Sequence, residues 1–420
     1  MPIRLPSKPA RDSSCPTPHR PVRRSLAFLA AALLLSACAP RALSTRGSVT
    51  LLEAGPDSAI AAEAASLPGL DLRELPLKGS WRAQLESRTG ASDLILIDWD
   101  RDLESAGRAG LVAELSGYWA RLSSTGRMRK ALDPRLYGPG GKARYFLPLC
   151  VYPWGLFYNQ GLLAKAGIAP PSTMAELEAD FGKLSARGIV PVALGASYGW
   201  PALAWVSILD LRLNGSEAHR LLLEGRRAFG DPGLLNVYAV LERWRDLGWF
   251  SADASKLSWD QAMTAVDSGR AAFTFLNSSA LTRYRHLSVL GFMALPRGEE
   301  GGRGGELGTL RGFVLPARAS SPRAALALAD AYALSGAPGQ TQASWGLPAV
   351  APSDGSEAEG LRGAAAKIVA GAEVMMPQLD WALPAQASME ARLAMQRFFD
   401  RRGGMGAKEL AAALVKAASQ

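Results

Sequence analysis

The chain has 420 residues, 48% of them hydrophobic, and a formal net charge of +9. That composition belongs to a globular protein with room for two or three domain-sized units. The charge is not a nucleic-acid signal: residues 1–37 hold six of the basic residues against one acid, Asp12, so the rest of the chain carries only +4, without long basic runs.

The amino-terminal segment comes first. Arg20, Arg23 and Arg24 precede Leu26–Leu35, a run of ten apolar residues, and Ser36-Ala37-Cys38 follows. A basic flank, an apolar run of roughly 7–15 residues and small residues at the cut define a signal peptide. A membrane-spanning helix needs about 20 apolar residues, so this run is too short. Leu35-Ser36-Ala37-Cys38 resembles the bacterial lipobox, which makes Cys38 the expected lipidation site and membrane anchor; the alternative is an ordinary signal with a chance cysteine. After cleavage Cys38 and Cys150 are the remaining cysteines, which leaves no disulfide framework and no zinc motif. Cys150 reads as a buried small hydrophobe.

Residues 38–47 read as a tether. Strands are expected at Val49–Glu53, Leu70–Leu77 and Asp93–Ile97, with helices at Ala59–Ala65 and Trp81–Arg88. Asp93-Leu-Ile-Leu-Ile97 suits a strand buried on both faces, and the alternation argues for α/β layers with a mostly parallel sheet. Thr173-Met-Ala-Glu176 and Ser258-Trp-Asp-Gln261 are capping boxes, while Asp231-Pro232 and Ser321-Pro322 place a cap before a first-turn proline. Gly248 and Gly336 fall where helices should stop. Arg297–Gly305 reads as a solvated loop without phosphate-cradle spacing.

Four segments together resemble the extracellular solute-binding proteins that feed ABC importers, in the carbohydrate-binding group that includes maltose-binding protein. They are Ser92–Arg101 with Gly110–Leu115, Leu147–Gln160 with Ala169–Leu177, Trp259–Asn277, and Val374–Trp381. They occur in the family's order across most of residues 48–400. The resemblance implies an α/β, two-lobed periplasmic-binding-protein-like fold with hinge crossings and a ligand cleft. By position, lobe one is expected at 48–148 and 295–345, and lobe two at 149–294 and 346–420. It further implies a monomer that binds a sugar or similar small polar solute and docks on ABC permease subunits, with no cofactor, metal or nucleic acid.

A sugar site needs flat aromatic platforms and hydrogen-bonding carboxylates, amides or guanidinium groups. The chain has 11 Trp residues, several at the ends of expected strands. Asp98, Trp99, Asp100 and Arg101 follow the buried strand, and are either ligand contacts or a polar loop. Tyr152 and Trp154 follow the crossing, and are either site or core aromatics. Trp200, Asn277, Ser279, Arg311 and Trp381 complete the candidates, with Trp345 near a later crossing. Trp205, Trp244 and Trp249 read as packing.

Enzyme readings have less support. His219 and His286 lack a neighbouring nucleophile motif, and no carboxylate pair is singled out for glycosidase chemistry. A secreted carbohydrate-active enzyme and a non-transport lipoprotein of the same fold remain the alternatives.

Overall fold

The structure is a computed structural model that describes residues 46–53, 58–87, 92–132, 144–297, 304–335, 345–353, 357, 359–400 and 404–419. The signal segment, Cys38, most of the tether, Gly336 and most of the glycine-rich loop lie outside the described residues. Among the described residues no helix is long and apolar enough to cross a membrane.

The strands in chain order are β1 (Gly47–Glu53), β2 (Leu70–Pro76), β3 (Leu94–Asp98), β4 (Leu147–Asn159), β5 (Val190–Val192), β6 (Ala271–Asn277), β7 (Leu290–Met293), β8 (Glu306–Val314), β9 (Leu347–Pro348) and β10 (Met375–Met376). They form one sheet in the order β2-β1-β3-β8-β4-β6-β5, with β10 beside β8, and β7 and β9 beside β4. The expected early strands and helices are present, with helices at Ser58–Ser66 and Trp81–Ser87. The sheet, however, is mixed rather than mostly parallel. Its outer pairs β1–β2, β1–β3 and β5–β6 are parallel, whereas β3–β8, β8–β4 and β4–β6 are antiparallel. The reason is that β4 and β8 run in opposite directions through its middle, and each reverses direction relative to its outer neighbour.

Strand β3 shows why its sequence is an unbroken apolar run. Leu94 and Leu96 enter one hydrophobic core, with Val49, Leu51, Phe313 and the helix Pro322–Ser335, while Ile95 and Ile97 enter the other. Alternating side chains on a strand covered on both faces require apolar residues at every position.

Strand β4 holds the sheet together. Leu147–Pro153 pairs with β8, and Trp154–Asn159 pairs with β6 and β7. The partners change at Pro153-Trp154-Gly155. Proline has no amide hydrogen for a ladder, so it fits where one pairing ends. At Gly155 a Cβ would lie 2.5 Å from the Met293 carbonyl oxygen, so only glycine admits β7 this closely. The two long strands β4 and β8 thus link the halves of the molecule.

The second half is rich in buried helices. Trp200–Leu213 is buried along nearly its whole length and packs against Pro232–Asp246 and Ala385–Phe398. Trp205 and Trp244 are fully buried and Trp249 nearly so, as expected of packing residues; Cys150 is buried too. The Thr173 and Ser258 capping boxes and the Asp231 cap all form.

Candidate functional site

The site is built where β3, β8, β4 and β6 lie side by side. Register sets Asp98 opposite Arg311, Arg311 opposite Cys150, Thr309 opposite Tyr152, and Trp154 opposite Asn277. Directly paired residues of antiparallel strands share a face, so these side chains form one row across the junction of the two halves. A bulge between Pro148 and Cys150 adjusts β4 so that Cys150 and Tyr152 fall into that row.

At one end stands a loose ion pair. Arg311 Nη1 lies 3.8 Å from Asp98 Oδ1, too far for a hydrogen bond, and that oxygen has no hydrogen-bond partner. Burial raises the Asp98 carboxyl above the usual range, against the opposing pull of Arg311. In the middle, Thr309 Oγ1 accepts from Trp154 Nε1 at 3.4 Å and from Asn277 Nδ2 at 3.3 Å. Thr309 was missing from the sequence candidates. It stands two residues before Arg311 on the same strand, so alternation would have found it once β8 was placed.

The other end is aromatic. The Trp154 ring meets Trp200 edge-on at 5.9 Å between centroids, and Trp200 meets Trp259 at 6.4 Å. Trp154 is only 2% exposed and Tyr152 5%, so both belong to the core as well as to the row. Trp200 is half-buried. Gly195 allows this ladder to form: a Cβ there would lie 2.4 Å from the Ser258 carbonyl oxygen, which brings the segment before Trp200 against the start of Trp259–Asp267.

Several other candidates are held by internal partners. Asp100 accepts from Trp81 Nε1 and from the Asp102 amide, both at 2.9 Å, and burial pushes its carboxyl up to about 6. Arg101 donates through Nη1 to the Ala382 carbonyl at 3.2 Å, and its amide to the Trp381 carbonyl at 3.2 Å. These two fasten the strand end to the helix Asp102–Arg108 and to Leu379–Ala382. Ser279 donates its amide and hydroxyl to Asn277 Oδ1, at 3.1 and 2.5 Å, closing the turn after β6.

Trp99 and Trp381 both line a crevice that Thr309 and Gln378 also line. Its free volume is about 10 Å³, space for about one water molecule. Gln378 is 3% exposed and its Oε1 has no partner. Behind it Asp380, pushed up to about 6 by burial, pairs with Arg392 at 2.7 Å. Trp345 has a positive φ of 48°, donates no ring to this crevice, and lies under the Arg362 guanidinium. Among the described residues no group of three or more metal-ligating side chains occurs.

The profile of the bacterial extracellular solute-binding protein family matches residues 72–337. An uncharacterized ABC transporter extracellular-binding protein of Pyrococcus horikoshii is 28% identical over 177 residues, which cover 40% of this chain and 38% of that relative's length. Among solved structures, the solute receptor AcbH, described as preferring β-D-galactopyranose, superposes with a TM-score of 0.71 at 21% identity, covering 89% of this chain and 98% of that one. A chitin oligosaccharide binding protein does so at 0.73 and 19% identity, over 89% and 98% of the two chains. At these identities the likeness establishes the two-lobed fold. With a family match over more than half its length, the chain belongs to the bacterial extracellular solute-binding proteins.

Proposed function

We infer that the protein captures a sugar or related small polar solute between its lobes and hands it to an ABC importer. The row from Asp98 and Arg311 through Thr309 to Asn277 and the Trp154–Trp200 edge supports this reading. It combines groups that pair with hydroxyls and rings that cover apolar sugar faces. The carboxylate oxygen of Asp98 without a partner is the single feature that carries it, because a ligand hydroxyl or amine supplies what the protein leaves out.

The lobes are 48–148 with 295–345, and 149–294 with 346–420, and they meet through β4 and β8. Ligand touching both lobes shifts an open–closed equilibrium toward the closed form, which docks on two permease subunits, one lobe to each. The protein acts as a monomer, uses no cofactor and turns nothing over. A lipid on Cys38 tethers it, after removal of residues 1–37, to a membrane facing the periplasm or cell exterior, and so keeps its local concentration near the importer high.

Calorimetry against a carbohydrate panel tests the reading. Saturable binding of at least one sugar is expected. Silence across sugars, with polyamines, peptides and metal ions silent too, rejects it.

A further inference from the structure

A second concavity lies beside the aromatic ladder. It has a volume of about 640 Å³ and runs between one face of the helix Trp259–Asp267 and the segment Arg283–Arg285. Ligand pockets commonly measure about 300–1,000 Å³. Trp259 stands at its head, in ring contact with Trp200 and through it with Trp154, so the aromatic track leads from the row of site residues into this groove.

Its lining has the chemistry of a hydroxyl-rich ligand. Asp260 and Thr264 lie on the helix side and Arg283 on the other. Asp267 spends Oδ2 on His286 Nδ1 at 3.2 Å, while its Oδ1 is buried without a partner. The Tyr284 hydroxyl is likewise buried and unpartnered, and its ring packs on Phe157 at 5.6 Å. Burial and the charge of Asp267 raise the Tyr284 phenol above its usual range, so it stays a donor at neutral pH. One orphaned acceptor and one orphaned donor line the same groove. Both atoms are buried, so a ligand hydroxyl reaches either of them only after its side chain turns toward the groove.

We propose that this groove is an outer subsite, so that the protein takes an oligosaccharide whose first units sit in the row between the lobes and whose next unit stacks on Trp259. This rests on the sugar reading of that row. Neither charge sign dominates the groove, which suits a neutral chain of sugar units.

The test is calorimetry of the whole protein with gluco-, xylo-, galacto- and chito-oligosaccharides of one to six units. For the sugar type that binds, affinity is expected to rise about tenfold as length extends beyond the inner site. Thr264→Trp, a bulky side chain at an exposed position, and Tyr284→Phe, which removes only the hydroxyl, are each expected to abolish most of that rise. A flat dependence on length overturns the outer subsite, as does a rise that survives both substitutions, or a loss of equal size at every length. Absence of binding by every member overturns the sugar reading and the subsite with it.

Discussion

Two buried aspartates, in different parts of the molecule, are treated in opposite ways. Asp210, in the helix Trp200–Leu213, is fully buried and meets three partners: His219 Nδ1 at 2.9 Å, Arg227 Nη1 at 2.8 Å and Asn214 Nδ2 at 2.8 Å. Burial alone would raise its pKa, but these partners hold it below the usual range. Asp98 has one distant arginine, an orphaned oxygen and a raised pKa. Asp210, part of the scaffold, is satisfied within the chain, whereas Asp98, in the proposed site, keeps an oxygen that the chain does not satisfy. A buried carboxylate with full partners therefore reports on stability, and one with a missing partner becomes a binding candidate where it also lies in the row of site residues.

The largest effect should come from breaking the satisfied member. Asp210→Ala takes one of two carboxylates from the Arg227 guanidinium, which keeps Asp231 at 2.7 Å, and removes the partner of the fully buried His219. A loss of about 2–3 kcal/mol in unfolding free energy is expected, measured by denaturant titration. A cost under about 1 kcal/mol would mean the network contributes little and the contrast is false.

Asp98→Asn should reverse that pattern. Removing a charge that the fold leaves half-served should cost little stability, within about 0.5 kcal/mol. Ligand affinity should fall about 10- to 100-fold, the worth of a charged hydrogen bond at about 1.5–3 kcal/mol. Stability loss with unchanged affinity would move Asp98 to the scaffold side of the comparison. Trp200→Ala sharpens the aromatic end of the same row. Loss of one stacking face worth about 0.5–1.5 kcal/mol should weaken binding several-fold, and intrinsic fluorescence on titration should change accordingly.

How much of this could be read from the sequence depends on the range of each interaction. The Thr173–Glu176 and Ser258–Gln261 boxes and the Asp231 cap are settled within four residues, and all three form as expected. Leu94–Ile97 was readable because burial on two faces leaves a local signature. The four family-like segments lie in the fold their order implied. What escaped was register. Thr309 joins Trp154 to Asn277 only because β8 and β6 flank β4, and residues 154, 277 and 309 come from three distant stretches of chain. The mixed sheet escaped for the same reason, since strand direction is set by crossings far apart in sequence. Asp100 also looked like its neighbour Asp98. Only the fold shows that Trp81, 19 residues earlier, occupies its carboxylate.

Asp100 supplies the smallest and most discriminating test. Its carboxyl is raised to about 6 from an ordinary value of 3.8, with burial as the main cause and the Trp81 and Asp102 hydrogen bonds opposing it. Between about pH 4 and pH 6 the folded state therefore holds a proton that the unfolded chain has released. Its contribution to stability is present in full below about pH 4 and is lost as pH rises through 6. Asn at position 100 does not titrate, and any cost of its altered hydrogen bonding is the same at every pH. The stability of Asp100→Asn relative to wild type should thus improve by about 1–2 kcal/mol from pH 4 to pH 7, allowing for solvent screening at a half-buried group. Melting temperatures across that range provide the measurement. Asp380, also raised to about 6, remains in the variant, so its curve should keep a falling slope that is shallower than that of wild type. Parallel curves for the two proteins would show that Asp100 is solvated in the folded state, and would return it to the open carboxylates with Asp98.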